Sequence, residues 1–266
     1  MNKLIIIDGH NFLWRSFSVP FKFYSKKDTP LHVLSTYLRL IRRTVTSINK
    51  VDAAVVVFDT DTKNDNSKLL KEYKANRRKF SKDEDSPYAH LPYVRKALKL
   101  LNIEFLEIPN IEADDIMASI SKGFCKKDPK NQAYIVSSDT DFYQLLNKQT
   151  FILKLKKKDD YEIIRFKDIK NKLGINPRQY VKFKSLTGDS ADNIKGIYGV
   201  GPVMAKKIIC KDVDFDIKEH QEMLDLNQKL IKLNCDCKKQ WRYRDFSYKE
   251  YIMDVSNQEI FNCCEF

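Results

Sequence analysis

The sequence predicts an α/β protein with a central, mainly parallel sheet and flanking helices. Short runs of β-branched and other apolar residues, as at residues 4–7, 53–58 and 133–136, are typical of strands buried on both faces of a parallel sheet. Segments with helical periodicity lie between these runs, as the crossover connections of parallel strands require. Each run is followed by a carboxylate, and ligands of α/β sheets bind at the carboxyl ends of the strands.

The elements are predicted in an order that fits such a sheet. Strands are expected at residues 3–8, 53–58, 103–108 and 133–137, and a hairpin at residues 151–155 and 161–166. Helices are expected at residues 31–49 and 90–101, from Glu112 to about Phe124, and starting within residues 141–147. In the first helix Leu34, Leu38 and Ile41 share one face, which predicts that this face is buried. From about residue 167 the pattern is helical and basic.

Acidic residues follow the predicted strands closely. They are Asp8, Asp59, Glu112, Asp114, Asp115, Asp139 and Asp141. Carboxylates that converge at one edge of a sheet cannot all stay ionised unless positive charge offsets their repulsion. Divalent metal ions are the natural source of that charge. The acids of residues 112–115 have a structural alternative, because acidic residues stabilise the first turn of a helix. That alternative explains one or two of them better than three.

The charge of the chain points to a polyanionic partner. Its 266 residues carry a net charge of +12, and the isoelectric point is near 9.2. The length permits one large domain, or a domain with a smaller lobe. A lysine-rich source genome is the alternative explanation of this composition, but it does not explain where the acids fall.

The sequence also bears on location and on the thiols. We predict neither a signal peptide nor a membrane-spanning run, and we expect a cytoplasmic protein. The six cysteines are not spaced as CxxC pairs, so we expect reduced thiols. A zinc site made by Cys235, Cys237, Cys263, Cys264 and His220 is the weaker alternative.

Residues 60–86 differ in character from the rest of the chain. They are rich in lysine and arginine and poor in apolar residues, which predicts a solvated or mobile segment. An ordinary charged surface helix is the alternative. The position of this segment directly after Asp59 favours contact with phosphate.

A glycine cluster is a second signal, independent of the acids. Four of the seven glycines lie within fourteen residues, at Gly188, Gly196, Gly199 and Gly201. Helical segments flank them, which predicts a helix–hairpin–helix, a sequence-independent grip on a nucleic-acid backbone. Gly199 and Gly201 let the backbone approach a partner closely, and the amides of the following helix favour phosphate. Asp189 and Asp192 lie in the same loop, so the grip and two further acids are coupled.

These residues resemble the 5′-nuclease (flap endonuclease) family, which includes the amino-terminal 5′→3′ exonuclease domain of bacterial DNA polymerase I and free-standing bacteriophage 5′-nucleases. Six strings occur in family order between about residues 3 and 210: Ile7-Asp8-Gly9-His10-Asn11, Val57-Phe58-Asp59, Tyr73-Lys74-Ala75-Asn76-Arg77, Glu112-Ala113-Asp114-Asp115, Ser138-Asp139-Thr140-Asp141, and Gly188-Asp189 through Gly201-Pro202. Each string alone is weak, but together they are specific.

The resemblance implies a PIN-like or resolvase-like nuclease core and a division of the chain into two regions. Residues 1–166 would form the α/β core, with a helical arch or clamp at about 60–90. Residues 167–266 would form a helical DNA-binding region, with the helix–hairpin–helix at about 183–209. The resemblance assigns no role to the last 55 or so residues.

The resemblance also implies roles for the site residues. Asp8, Asp59, Glu112 and Asp114 would serve a first Mg²⁺ ion, some of them through water. Asp139, Asp141 and Asp192 would serve a second ion, with Asp115 and Asp189 nearby. Lys74 and Arg77 would reach the scissile phosphate from the foot of the arch. Mn²⁺ is expected to substitute, because both ions take oxygen ligands.

The helix–hairpin–helix would grip DNA through Gly196, Gly199, Gly201, Lys206 and Lys207. Backbone carbonyls of Ile197 and Val200 match the positions that hold a monovalent cation, such as K⁺, in the family. One departure concerns this grip. The family usually has lysine two residues after the last hairpin glycine, where this chain has Val203, so the grip on duplex is expected to be shifted or weaker.

The predicted function is that of a 5′→3′ exonuclease and 5′-flap endonuclease, in DNA replication, repair or primer removal. Its partner would be DNA with 5′ ends or flaps, or RNA–DNA hybrids, and we expect a monomer. A catalytically weak DNA-binding relative is one alternative, but it predicts missing acids, and none is missing. A PIN-type ribonuclease is the other, but it would not need the glycine-rich hairpin.

Overall fold

A six-stranded sheet forms the centre of the protein in the computed structural model, which describes residues 2–24, 30–60, 70, 73–74, 86–156 and 160–237. Its strands are β1 (Lys3–Asp8), β2 (Ala53–Phe58), β3 (Glu104–Glu107), β4 (Gln132–Val136), β5 (Thr150–Leu155) and β6 (Tyr161–Ile164). The order across the sheet is β3-β2-β1-β4-β5-β6. All neighbouring pairs are parallel except β5 and β6, which form the predicted antiparallel hairpin. The predicted fold class is confirmed.

The described residues form eight α-helices. They are α1 (Gly9–Phe17), α2 (His32–Thr46), α3 (Leu91–Leu100), α4 (Ala113–Lys127), α5 (Phe166–Leu173), α6 (Tyr180–Thr187), α7 (Pro202–Cys210) and α8 (Gln221–Ile231). The helix expected after residue 140 is a short 3-10 helix, Asp141–Leu145. It ends there because Leu146 adopts an extended backbone and is buried just ahead of β5.

The two faces of the sheet are covered by different helices. Side chains of β1 alternate, so that Leu4 and Ile6 pack in one core and Ile5 and Ile7 in the other. Helices α1, α2 and α3 cover the face of Ile5, and α4, α6, α7 and α8 cover the face of Leu4. This double coverage explains why β1, β2 and β4 are apolar at nearly every position.

The strand order brings the predicted acids together. β1 lies between β2 and β4, and the chain leaves β1 toward one side of the sheet and later returns to the other. Asp8 ends β1, Asp59 follows β2, and Asp139 lies in the loop after β4. These three loops lie at one edge of the sheet, the usual position of a ligand site in α/β folds.

Several predictions concern residues outside the described ranges. They include Arg77, most of the proposed arch at 60–90, and the residues beyond Cys237, with Cys263 and Cys264 among them. The division at residue 166 stays a prediction, although helices from both proposed regions share one core with the sheet. Among the described residues, no helix is long and apolar enough to cross a membrane. The described cysteines, Cys125, Cys210, Cys235 and Cys237, are free thiols.

Candidate metal centre

A cavity of about 680 Å³ opens at the carboxyl edge of the parallel strands. Seven of the nine predicted acids line it: Asp8, Asp59, Glu112, Asp114, Asp139, Asp189 and Asp192. Lys74 and Lys184 also line it. Asp115 and Asp141 lie beside this lining, within one or two residues of acids that belong to it. The fold therefore gathers acids from five separate segments around one space.

Asp8 links β1 to α1 and is held by two donors. Its carboxylate accepts hydrogen bonds from the backbone N–H of Asn11 at 2.9 Å and from the Ser137 hydroxyl at 2.8 Å. The first of these bonds makes Asp8 the N-cap of α1. Burial nevertheless raises the pKa of Asp8 to about 6, with repulsion from Asp59 as a smaller cause. The fold therefore places a carboxylate where it does not ionise readily unless a cation is close.

Replacement of Asp8 by Asn is expected to stabilise the metal-free protein at pH 7. With a folded-state pKa near 6 against 3.8 unfolded, the folded protein binds the proton more tightly. Stability is therefore lost as pH rises from about 4 to about 6, and the variant avoids this loss of about 1–3 kcal/mol. Thermal unfolding in EDTA should show the variant melting higher than wild type at pH 7, with the difference closing near pH 4.

The matched control is Asp52→Asn, which neutralises an exposed acid at the opposite end of β2. This control should not reproduce the pH-dependent gain. Equal melting temperatures of wild type and Asp8→Asn at both pH values would contradict the raised pKa of Asp8.

Asp59 has the opposite electrostatic character. Burial tends to raise the pKa of its carboxyl, but hydrogen bonds involving the His10 side chain and the Ala113 amide outweigh this, and the pKa is lowered. The Ala113 N–H donates to Asp59 at 2.7 Å, so this side chain joins the end of β2 to the first turn of α4. The His10 ring packs edge-on against Phe58 and lines the cavity.

Helix α4 begins at the site and carries three acids there. Glu112 is its N-cap residue, and the Glu112 carboxylate forms an ion pair with the ammonium of Lys74 at 2.7 Å. Asp114 faces the cavity, and its pKa is raised well above the usual value by burial and by repulsion from Asp139. The Asp115 carboxylate accepts a hydrogen bond from the backbone N–H of Asn234 at 2.7 Å. Burial raises the pKa of Asp115 to about 6.

The loop after β4 fixes the next two acids relative to each other. The Asp139 carboxylate accepts the backbone N–H of Asp141 at 2.9 Å, and the Asp139 amide donates to the Ser137 hydroxyl at 3.1 Å. Burial and the charge of Asp139 raise the pKa of Asp141 to about 6. Ser137 therefore supports both Asp8 and Asp139, a role that the sequence analysis did not assign.

The glycine-rich loop brings two further acids to the site. Carboxylate oxygens of Asp141, Asp189 and Asp192 all lie within 4.8 Å of one another. The Lys184 ammonium lies 3.0 Å from Asp141 and also pairs with Asp189. Burial works against the charge on Lys184, but the two carboxylates outweigh it and raise its pKa. Lys184 thus supplies positive charge to this acidic cluster.

Lys184 was missed in the sequence analysis, although a signal for it exists. It lies on the same side of α6 as Tyr180, four residues earlier, which packs in the core. Lysine is rarely buried unless it is paired with an acid. A lysine on the buried side of a helix, five residues before Asp189, therefore predicts an ion pair.

Lys74 connects the start of α4 with the glycine-rich loop. Its ammonium binds Glu112, and its backbone N–H donates to the carbonyl oxygen of Asp192 at 3.1 Å. Its φ of 54° lies in the left-handed region, which a lysine rarely adopts. The preceding Tyr73 is buried against Ile194 and Ile231 and holds this turn. Tyr73 therefore serves the packing of the core at this turn.

The glycines of the loop have different structural reasons. A Cβ on Gly196 would lie 2.5 Å from the Gly188 amide nitrogen, so these two residues allow β7 (Gly188–Asp189) to approach β8 (Ile194–Lys195). Gly199 has a φ of 78°, which glycine adopts readily. Gly201 has an extended backbone, and an added Cβ would meet no described atom within 4 Å. Within the described part of the fold, packing does not require glycine at position 201.

The donor set fits Mg²⁺. The side chains that converge offer carboxylate oxygens, with hydroxyl and amide groups of Asn11, Ser138 and Thr140 nearby. Hard divalent cations of this kind prefer such oxygen ligands, and Mn²⁺ accepts the same set. Burial, with repulsion between the acids as a smaller cause, raises the pKa values of Asp8, Asp114 and Asp141, so a bound cation would favour their ionised forms. The metal assignment of individual residues stays a prediction.

Comparison with known proteins places this arrangement among nucleases. Residues 3–174 match the family model described as 5′-3′ exonuclease, N-terminal resolvase-like domain. The chain is 29% identical over 273 residues to a 5′-3′ exonuclease of Aquifex aeolicus, a match that covers 98% of this chain and 91% of the relative. It is 31% identical over 208 residues to DNA polymerase I of Deinococcus radiodurans, covering 78% of this chain but only 21% of the polymerase.

A solved structure shares the fold over nearly the whole chain. It is the bacteriophage T5 D15 flap endonuclease in a pseudo-enzyme-product complex with DNA and metal ions. The TM-score is 0.69 at 19% sequence identity, with 99% of this chain and 97% of the other covered. At this identity the likeness establishes the fold, and the chemistry has to be argued from the residues of this chain.

Proposed function

The chain belongs to the 5′-3′ exonuclease family, and on that basis we propose that it is a divalent-metal-dependent nuclease that hydrolyses DNA from 5′ ends and at 5′ flaps. The observation that carries the proposal is the convergence of seven acids and two lysines on one cavity. Such a charge distribution binds metal ions and phosphate together. A role in replication, repair or primer removal, action on RNA–DNA hybrids, and a cytoplasmic monomeric state belong to the same proposal.

We assign the acids to two groups, and Lys74 contacts one member of each, Glu112 through its ammonium and Asp192 through its backbone N–H. Asp8, Asp59, Glu112 and Asp114 would hold one ion, and Asp139, Asp141 and Asp192 a second, with Asp115 and Asp189 beside them. The second assignment is supported by the 4.8 Å cluster of Asp141, Asp189 and Asp192. The first is supported by the shared cavity and by the hydrogen bonds that orient Asp8 and Asp59.

Bound divalent ions would supply the positive charge that activates water and stabilises the charge developing on phosphate and leaving oxygen. The residues of the chain perform the remaining tasks. Lys74 and Lys184 would bind phosphate oxygens, because their ammonium groups line the cavity on its acidic wall. Arg77 is proposed to assist them from outside the described ranges. Ser137 and Asn11 keep the Asp8 carboxylate oriented.

The helix–hairpin–helix is proposed to hold the duplex beside this cavity. Gly201 has no steric neighbour at its Cβ position among the described residues and precedes α7, where the amides of Val203 and Met204, after Pro202, are available to phosphate. Lys206 and Lys207 are exposed on the same helix, and Val203 is 72% exposed where the family usually has lysine. Gly196 and Gly199 shape the turn. The carbonyl of Ile197 accepts the Val200 amide at 3.0 Å, and a K⁺ site at these residues stays a prediction.

Removal of the two lysines of α7, Lys206 and Lys207, is expected to weaken binding to duplex DNA and to reduce the salt dependence of that binding. Each phosphate contact contributes about 0.9 to the slope of log K against log salt concentration. Lys206→Ala/Lys207→Ala should therefore lower that slope by about 2, uniformly across DNA sequences. Fluorescence anisotropy in EDTA between low and moderate salt measures this. Lys99→Ala on α3, across the sheet, is the control, and an unchanged slope in the double variant would contradict the assignment.

The proposed activity is tested with a 5′-flap DNA duplex labelled at its 5′ end. We expect release of short 5′ products in Mg²⁺ and no release in EDTA. The variant Asp139→Ala/Asp141→Ala should bind the duplex but lose cleavage. If the wild-type protein binds the duplex but does not cleave it in either Mg²⁺ or Mn²⁺, the proposal is contradicted and a structure-specific DNA-binding protein remains. Cleavage of RNA but not DNA would instead support a PIN-type ribonuclease.

A further inference from the structure

The segment after α8 runs back along the protein and contacts the elements behind the acidic cavity. We call residues 231–237, which start at the last residue of α8, the strap. Its backbone is hydrogen-bonded to α4 and to the 3-10 helix Asp141–Leu145 through two side chains, Gln144 and Ser119. Neither side chain lines the cavity. Both lie within four residues of an acid assigned to the metal site.

Gln144 makes three hydrogen bonds with its single carboxamide. The Nε2 group donates to the carbonyl of Asp141 at 2.8 Å and to the carbonyl of Ile231 at 3.0 Å. The Oε1 atom accepts the backbone N–H of Leu233 at 3.0 Å. The side chain therefore ties the backbone of one site acid to the first residues of the strap.

Ser119 fastens the other end of the strap to α4. Its hydroxyl donates to the carbonyl of Asn234 at 3.0 Å and accepts the backbone N–H of Cys237 at 3.1 Å. These bonds hold the Asn234 amide in place, and that amide donates to the Asp115 carboxylate at 2.7 Å. Ser119 is only 6% exposed, so water does not compete readily for these partners.

The strap thus fixes two acids from behind the cavity. Asp115 is adjacent to Asp114, and its carboxylate is oriented by a neutral backbone donor rather than by a lysine. Asp141 is bound at its carbonyl by Gln144, while its carboxylate faces Lys184, Asp189 and Asp192. Groups that orient metal ligands from outside typically change metal affinity or activity by about 10- to 100-fold when they are removed.

We propose that the strap, held by Gln144 and Ser119, positions Asp115 and Asp141 for divalent-metal binding. Gln144 and Ser119 are positioning residues that act through these acids. The inference rests on the proposed function, because it assigns a supporting structure to the same metal site. It also gives the region after α8 a role in the site, although this region contributes no side chain to the cavity lining among the described residues.

The test compares Gln144→Ala and Ser119→Ala with wild type by calorimetric titration with Mn²⁺ and by Mg²⁺ titration of flap cleavage. We expect each variant to bind Mn²⁺ about 10-fold more weakly and to need about 10-fold more Mg²⁺ for half-maximal cleavage. The KM for DNA should stay unchanged at saturating metal. Lys122→Ala is the matched control, since it removes an exposed ion pair between α4 and Asp236 of the strap but no contact to a site acid.

Circular dichroism and thermal unfolding identify any variant that fails to fold. If Gln144→Ala does not fold, Ser119→Ala decides, because it deletes only one hydroxyl. Wild-type affinity for Mn²⁺ in a folded variant of either kind would overturn the role of the strap. A wild-type protein that neither binds Mn²⁺ nor cleaves DNA would instead overturn the proposed function.

Discussion

Replacement of Asp114 by Asn is expected to lower metal-dependent cleavage by about 10²-fold or more. Asp114 faces the cavity, and its carboxyl is repelled by Asp139, Asp59 and Asp8. Asp114 therefore interacts electrostatically with acids from both proposed sets of metal ligands. Loss of one such ligand removes several kcal/mol of transition-state stabilisation, and about 3 kcal/mol corresponds to roughly 10²-fold in rate. Single-turnover cleavage of the flap duplex in Mg²⁺ measures the loss.

The same variant should bind DNA more tightly than wild type in EDTA. This gain is expected above the raised pKa of Asp114, where the ionised carboxyl repels the phosphate backbone and the Asp114→Asn substitution removes one negative charge. Asp128→Asn at the other end of α4 is the control, because it makes the same charge change away from the cavity. Wild-type cleavage by Asp114→Asn at low Mg²⁺ would contradict the assignment of this residue.

Replacement of Lys74 by Ala is expected to lower cleavage by about 10²- to 10³-fold at saturating DNA. A preorganised cationic donor acts where charge develops in the transition state, and removal of one such donor has an effect of this size. The ion pair with Glu112 and the backbone bond to Asp192 hold Lys74 in place before substrate arrives. Its rare backbone conformation, with a φ of 54°, is typical of residues whose position serves a function.

The kinetic signature separates catalysis from binding. If Lys74 stabilises the transition state, kcat should fall while the dissociation constant for DNA changes little. Lys122→Ala, which removes an exposed lysine far from the cavity lining, is the control for net charge. A Lys74→Ala variant with unchanged kcat and a raised KM would show that this lysine only binds substrate.

The central part of the fold follows from local sequence. β1, β2 and β4 are read from short apolar runs because both faces of these strands are buried, which leaves no room for polar side chains. The carboxylates of Asp8, Asp59 and Asp139 are found for the same reason, since they mark the point where each buried run reaches the edge of the sheet. Helices α2 and α3 follow from apolar periodicity and are confirmed within a few residues.

The remaining features depend on contacts between distant segments. The Asn234 amide meets Asp115 across 119 positions of the sequence, and Gln144 meets Leu233 across 89. No local pattern predicts such pairs, because they arise only when α8 packs on α6 and the chain returns across α4. Gly196 shows the same limit. The sequence suggests a contact with DNA, whereas its crowding against Gly188 gives it a structural reason within the hairpin.

Anomalous diffraction from crystals of this protein grown with Mn²⁺ tests the proposed metal centre most directly. We predict two peaks in the cavity, roughly 4 Å apart as in two-metal hydrolases. One should lie beside Asp8 and Asp114, and the other beside Asp141 and Asp192. Absence of any peak at these carboxylates, with Lys74 and Lys184 still paired to Glu112 and Asp189, would show that the lysines alone balance the acids and would contradict a two-metal site.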